Sequence, residues 1–307
     1  MKKIKLLALL TIMLIAVNGC KKEKEEESQK IIYLQTQQEV DEFGAKNIVN
    51  YTEGSIIIGA KSYNDDEPMN TSITNLNALS SLKSVSGKLA IYKTVNLTNL
   101  NGLNNFEEAK GEDDNFDKYT PLNISIDIDG NTGLTDISAL NNLKKATTIF
   151  IGNNPNLLSL FSINPNQIYR MVIQNNDSLT DLNGLQNINT LLSVSINSNE
   201  NLINLNGLNN LTNIGGQNID DIFYINIIGN PKLENLDGLS NLTNIVVRNS
   251  SIVLDGIHIK NNAVLTDFCG LSTAINNINN YSVFQYEVLN NAYNPTLQDL
   301  LNNNCSN

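Results

Sequence analysis

The sequence predicts a mainly β protein, a right-handed parallel β-helix built as a solenoid of about nine rungs with a short capping helix at its N-terminal end. Three observations predict it. Apolar residues recur at every third position in rows that start at Ile73, Leu97, Leu134, Leu157, Leu179, Leu202, Leu233, Leu265 and Leu297. Apolar pairs two residues apart stand eight and six positions before these starts, from Leu89/Ile91 through Ile126/Ile128, Ile149/Ile151, Met171/Ile173, Val194/Ile196 and Ile225/Ile227 to Ile257/Ile259. An Asn stands three positions before every start except Leu97, where Thr94 replaces it.

The rows follow one another at 24, 37, 23, 22, 23, 31, 32 and 32 residues. Such periods mark stacked units, none of which can bury its leucines alone. Steps of three fit neither a helix face, since five such residues spread round most of the circumference, nor a strand, which sends them alternately to both sides. They fit a coil with 3₁₀-like corners that turns every third side chain inward. Steps of two in β-branched residues are strands with one buried face. The Asn residues, Asn131, Asn154, Asn176, Asn199, Asn230, Asn262 and Asn294 among them, carry both a donor and an acceptor and tolerate awkward backbone angles, so stacked corners predict an internal Asn ladder. Small residues such as Gly102, Gly184, Gly207, Gly238 and Gly270 allow close approach of one rung to the next. Asn makes up about 18% of the chain, in keeping with one short unit copied many times.

Taken in chain order, residues 1–19 (MKKIKLLALLTIMLIAVNG) join a basic start to a short apolar run and read as a secretory signal rather than a membrane span. Val17-Asn18-Gly19-Cys20 resembles a bacterial lipobox, which implies lipidation of Cys20; a plain secretory signal is the alternative. Residues 20–30, the Cys and KKEKEEESQK, form a charged solvated tether. The tether is similar to the acidic export tag that sends some lipoproteins to the outer face of the outer membrane. Residues 31–72 hold an N-terminal cap and first rung, where Thr36 and Glu39 are spaced as a capping box. Residues 73–307 are the leucine-rich solenoid with a C-terminal cap. Cys269 and Cys305 are the two cysteines left once Cys20 is lipidated, and outside the cytoplasm they form either a disulfide closing the last rung or two buried thiols.

The strings GGQNIDDIFYINIIGN, NPKLENLDGLSNLTNI and GIHIKNNAVLTDFCGL resemble the receptor L domain, the leucine-rich half-β-helix of insulin-receptor and epidermal-growth-factor-receptor ectodomains. They are more similar still to bacterial surface lipoproteins built from such repeats. The resemblance spans about residues 50 to 307 and implies a leucine-rich-repeat-like solenoid. It is specific for fold rather than function, because the shared residues are those that pack, and it transfers no ligand residues, because the cysteine clamps of the animal receptors are absent.

The extra residues of the long rows, approximately Lys110 to Pro121, Gly215 to Asp221, Val246 to Asp255 and Asn276 to Val283, fall at one place in the repeat and should emerge along one edge. Beside that edge lie the outward residues of the paced strands. Phe150, Arg170, Val172, Tyr224, Asn226 and His258, with Asp127, form the candidate binding face, expected to be exposed.

No catalytic constellation appears. The single imidazole, His258, has no nucleophile near it in sequence, and no phosphate loop is present. DIDGNTGLTDIS from Asp127 lacks the Gly and Glu of a calcium loop, and the acidic insertion Glu112 to Asp117 reads as a solvated loop with weak calcium binding as the alternative. No metal, cofactor or enzymatic activity is expected. The formal charge of −11 excludes a nucleic-acid partner. The expectation is a monomeric outer-membrane lipoprotein, touching the membrane through its lipid alone and binding an extracellular protein or glycan, by adhesion. Alternatives are glycan or peptide capture for an uptake system and a purely structural envelope role.

Overall fold

The computed structural model describes residues 30–64, 66–111, 123–162, 167–215, 224–246, 256–278 and 285–307. The signal segment, Cys20 with its tether up to Gln29, the acidic stretch at Glu112 to Asp117 and most of the four insertions lie outside the described residues; Lys30, expected to end the tether, instead opens the first strand and pairs with Gly54. Ten strands form one continuous path: Lys30–Leu34, Gly54–Gly59, Leu89–Tyr92, Ile124–Asp129, Lys145–Gly152, Gln167–Gln174, Ser193–Asn197, Tyr224–Ile228, Gly256–Lys260 and Gln285–Leu289. Each pairs in parallel with the next, so the chain advances by one strand per turn of a parallel β solenoid. Short strands on a second side, Thr190–Leu191, Asn213–Ile214 and Asn244–Ile245, are likewise parallel.

The inward side chains of the long strands, such as Ile149/Ile151, Val194/Ile196 and Ile225/Ile227, meet the leucines of the rows in one core. The first eight row starts, Ile73 through Leu265, are fully buried. The period of three has a direct cause in the backbone. In the row from Leu233 the Leu239 N–H donates to the Leu236 carbonyl at 2.9 Å, and the Leu242 N–H to that of Leu239, also at 2.9 Å. Successive i to i+3 bonds of this kind bring every third side chain to the same side. Each buried Leu contributes about 1.5–3 kcal/mol of apolar transfer. Gly207 shows why the neighbouring position must stay small: a Cβ there would lie 1.9 Å from the Leu182 carbonyl oxygen of the rung before.

Behind the strands, each corner holds one residue in the left-handed region followed by a ladder residue. Lys93, Gly130, Asn153, Asn175, Ser198, Gly229, Asn261 and Asn290 take φ between 52° and 73°, a region open chiefly to Gly and Asn. The residues after them are Thr94, Asn131, Asn154, Asn176, Asn199, Asn230, Asn262 and Asn291, all buried. Asn154 illustrates the bonding. Its Oδ1 accepts from the backbone N–H and Nδ2 of Asn131, both at 3.1 Å, while its own Nδ2 donates to Asn176 Oδ1 and to the Ile128 carbonyl. Burial of so many amides is tolerated because their hydrogen-bonding capacity is used within the ladder.

Two expectations at the C-terminal end need correction. Asn294 is not a rung of the ladder; Asn291 is, and Asn294 terminates the stack by accepting at Oδ1 from Asn291 N and Nδ2. Leu297 starts no ninth row, because the chain turns into the helix Leu297–Leu301 with Thr296 and Asp299 as its capping box. A helix end supplies its own backbone partners, whereas a further open rung would expose them. Cys269 and Cys305 are joined by a disulfide with their Cα atoms 4.9 Å apart. At the other end the helix Gln37–Ala45 carries the Thr36/Glu39 capping box and buries Val40 and Phe43 over the first rungs.

Candidate functional site

The outer face of the ten-strand path is the candidate site, because parallel pairing aligns its side chains in straight files that cross the rungs. One file runs Ile57, Ala90, Asp127, Phe150, Val172, Ser195, Asn226, His258 and Glu287. A second, one pleat nearer the rung's start, runs Thr148, Arg170, Ser193 and Tyr224. A third runs Tyr92, Asp129, Gly152, Gln174, Asn197, Ile228 and Lys260.

At its N-terminal end the face is closed. Ile57, Ala60, Ala90 and Tyr92 make a small apolar cluster, over which Tyr63 packs edge-on with ring centroids 6.0 Å apart from Tyr92. The Tyr92 hydroxyl donates to Asp127, and Lys88 Nζ lies 3.9 Å from the same carboxylate. Asp127, expected to be exposed, is therefore buried at 2%. Asp129 is buried too, which raises its pKa, while the Asn153 amide donating at 2.7 Å opposes that rise.

The middle carries Phe150, half-buried, whose ring lies over Gly152: a Cβ there would meet the ring at 2.4 Å. Beside it, Val172 and Arg170 are buried at 5% and 8%, which corrects the expectation that both stand in solvent. On a parallel ladder, neighbours about 4.8 Å away on both sides cover a side chain that alternation alone would place outside.

The C-terminal end is charged. Glu287 Oε2 accepts from Lys260 Nζ and from His258 Nδ1, the latter at 3.2 Å. The Lys260 and His258 bonds hold the Glu287 carboxyl below its usual range. Tyr224 and Asn226 are half-buried, and Tyr224 has its phenol pKa raised by burial despite the opposing charge of Arg170.

Of the residues expected on this face, Phe150, Val172, Asn226 and His258 do share one file, and Arg170 and Tyr224 share the next. Thr148, Ser193, Asp129, Lys260 and Glu287 belong with them and were missed; the alternation of the same strands, laid out rung against rung, contains the signal. Among the described residues no group of three His, Cys, Asp or Glu side chains is arranged to hold a metal ion. No helix there is long and apolar enough to cross a membrane.

No curated protein and no solved structure matches the chain. Over residues 47–169, which run from the end of the N-terminal helix into the strand Gln167–Gln174, the sequence matches the Receptor L domain family, a family of non-catalytic binding domains.

Proposed function

We propose that the protein is a non-enzymatic binding lipoprotein, held at the outer membrane through Cys20 and displayed on the cell surface, whose outer sheet face takes an extracellular protein or glycan for adhesion. The carrying observation is the aligned file Phe150, Val172, Ser195, Asn226 and His258, a straight strip of apolar and polar side chains with fixed spacing. A rigid strip of that kind offers a preorganised contact surface, which lowers the ordering cost of association. The family match supports binding over catalysis.

A second reading, capture of a glycan for an uptake system, draws on Phe150. Its ring lies over Gly152 with Asp129 and Asn153 alongside, an apolar platform edged by hydrogen-bonding groups that suits a sugar face.

The full chain, wild type and Phe150→Ala/His258→Ala, is applied to a host-protein array and a glycan array. Adhesion predicts protein hits that the double variant loses; capture predicts glycan hits that it loses. Silence on both arrays, or hits that the variant retains, overturns the assignment of this face. Protease shaving of intact cells tests display: a protein cut only after lysis is not surface-exposed.

A further inference from the structure

The geometry points to a subsite on the outer face, centred on Arg170, that holds one carboxylate of an otherwise uncharged ligand. It deepens the reading of this face as the contact surface and rests on it.

Arg170 is 8% exposed, its Nε has no hydrogen-bond partner, and among the described residues no acidic side chain forms an ion pair with it. A guanidinium cannot shed its proton, and a buried charge without a partner costs several kcal/mol, so the site is incomplete by itself. Next to Arg170 in register is Thr148, fully buried, whose Oγ1 also lacks a partner. On the other side stands Ser193, whose Oγ accepts from the Tyr224 backbone N–H at 3.2 Å. The Tyr224 phenol feels the Arg170 charge and stays protonated through burial, so it remains a donor. The guanidinium fork and the Thr148 and Tyr224 hydroxyls therefore lie in one file across successive rungs. A guanidinium fork fits a planar carboxylate through two parallel bonds. The chain's net charge of −11 opposes a polyanion and leaves a single carboxylate as the matching ligand group.

The strands also set Arg170 apart. In the sequence, the rows that follow Lys145–Gly152, Gln167–Gln174 and Ser193–Asn197 start 23, 22 and 23 residues after the row before, whereas the rows that follow Ile124–Asp129 and Tyr224–Ile228 start after 37 and 31. Arg170 is on the middle one of these three uninterrupted rungs.

The test titrates the full chain with sodium acetate against sodium chloride at constant ionic strength, read by the unfolding midpoint. Acetate should raise the wild-type midpoint saturably. Arg170→Met should abolish that rise while its own midpoint without acetate is no lower than wild type. Arg170→Lys should weaken the apparent affinity about tenfold, having charge without the fork. Thr148→Val, which keeps the guanidinium, should weaken it several-fold and serves if Arg170→Met does not fold. An absent or non-saturable wild-type response, or an equal response in Arg170→Met and Thr148→Val, overturns the site. Methyl glucuronide and an N-acetylated dipeptide with a free C-terminus then compete with acetate; tighter binding by one identifies a sugar acid or a peptide acid as the source. If neither exceeds acetate, the subsite is not part of a ligand surface. Silent arrays with an intact acetate response sink the binding-protein reading alone, and array hits unchanged by Arg170→Met sink this one alone.

Discussion

Asn199 gives both its backbone N–H and its side-chain amide to Oδ1 of Asn230, at 3.0 and 3.1 Å, although the two residues are 31 positions apart. Its own Oδ1 accepts the Asn176 N–H at 3.1 Å, and its Nδ2 reaches the Ile173 carbonyl. One side chain thus connects three successive turns of the solenoid.

Asn199→Ala leaves the Asn176 N–H and the Ile173 carbonyl buried without that partner. Each such group costs about 1–3 kcal/mol, so the variant should lose about 2–6 kcal/mol in urea unfolding. Asn294→Ala, at the partly buried end of the stack, should lose about 1 kcal/mol or less. Equal losses would remove the distinction between ladder and terminator.

Gly207 and Gly229 both have positive φ, 113° and 71°, but only Gly207 faces backbone at 1.9 Å; the nearest atom to a Cβ at Gly229 is Ser198 Oγ at 3.4 Å. Gly207→Ala should destabilise by about 3 kcal/mol or more, combining strain with a clash that cannot relax. Gly229→Ala should cost about 1 kcal/mol, the left-handed penalty alone. The two unfolding midpoints decide it.

Reduction of the Cys269–Cys305 disulfide should lower stability by about 3–4 kcal/mol, given the 36-residue separation. The loss should appear first in the cap, since the Phe268 N–H donates to the Cys305 carbonyl at 2.8 Å and Asp267 bridges Ser306. Amide exchange at Phe268 after reduction, or in Cys305→Ser, should rise well before that at Ile227.

Asp129 and Glu287 should respond to acid in opposite senses. Burial raises the Asp129 pKa, so the folded state binds its proton more tightly than the unfolded chain does; this contribution is complete below the unfolded value near 3.8 and is lost as pH rises through the folded one. Asp129→Asn, which can still accept from Asn153, should therefore gain stability over wild type at pH 7, and the gain should shrink towards pH 4. Glu287 is held low by Lys260 and His258, so its contribution is present above the unfolded value near 4.5 and disappears as pH falls through the lower folded one. Glu287→Gln should differ from wild type at pH 7 and converge with it in strong acid, as urea midpoints at matched ionic strength would show.

Packing positions were legible in the sequence because they repeat. Ile225, Ile227, Leu233, Leu236 and Leu239 sit at distances from one another that recur in other rungs, and burial follows from that spacing. The end of the chain was misread because counting from Leu297 places Asn294 in the ladder; counting three from the inward Val288, as from Ile227 to Asn230 and Ile259 to Asn262, gives Asn291. Arg170 was misread for a different reason. Alternation tells which side of a strand a residue faces, but burial on that side depends on the height of neighbours in other rungs, here Thr148 and Ser193. The disulfide stayed open in the sequence because spacing alone cannot bring Cys269 and Cys305 within bonding distance.

The saturated corner of each rung also makes the molecule a ruler. Every ladder Asn makes the same bonds to the turn before it and the turn after it, so a whole turn such as residues 176–198 can be duplicated or deleted without leaving any ladder amide unmatched. Each turn adds about 4.8 Å, and the ten strands already measure out about 43 Å. Reach along the strip can therefore change in fixed increments, while the two caps that close it stay the same.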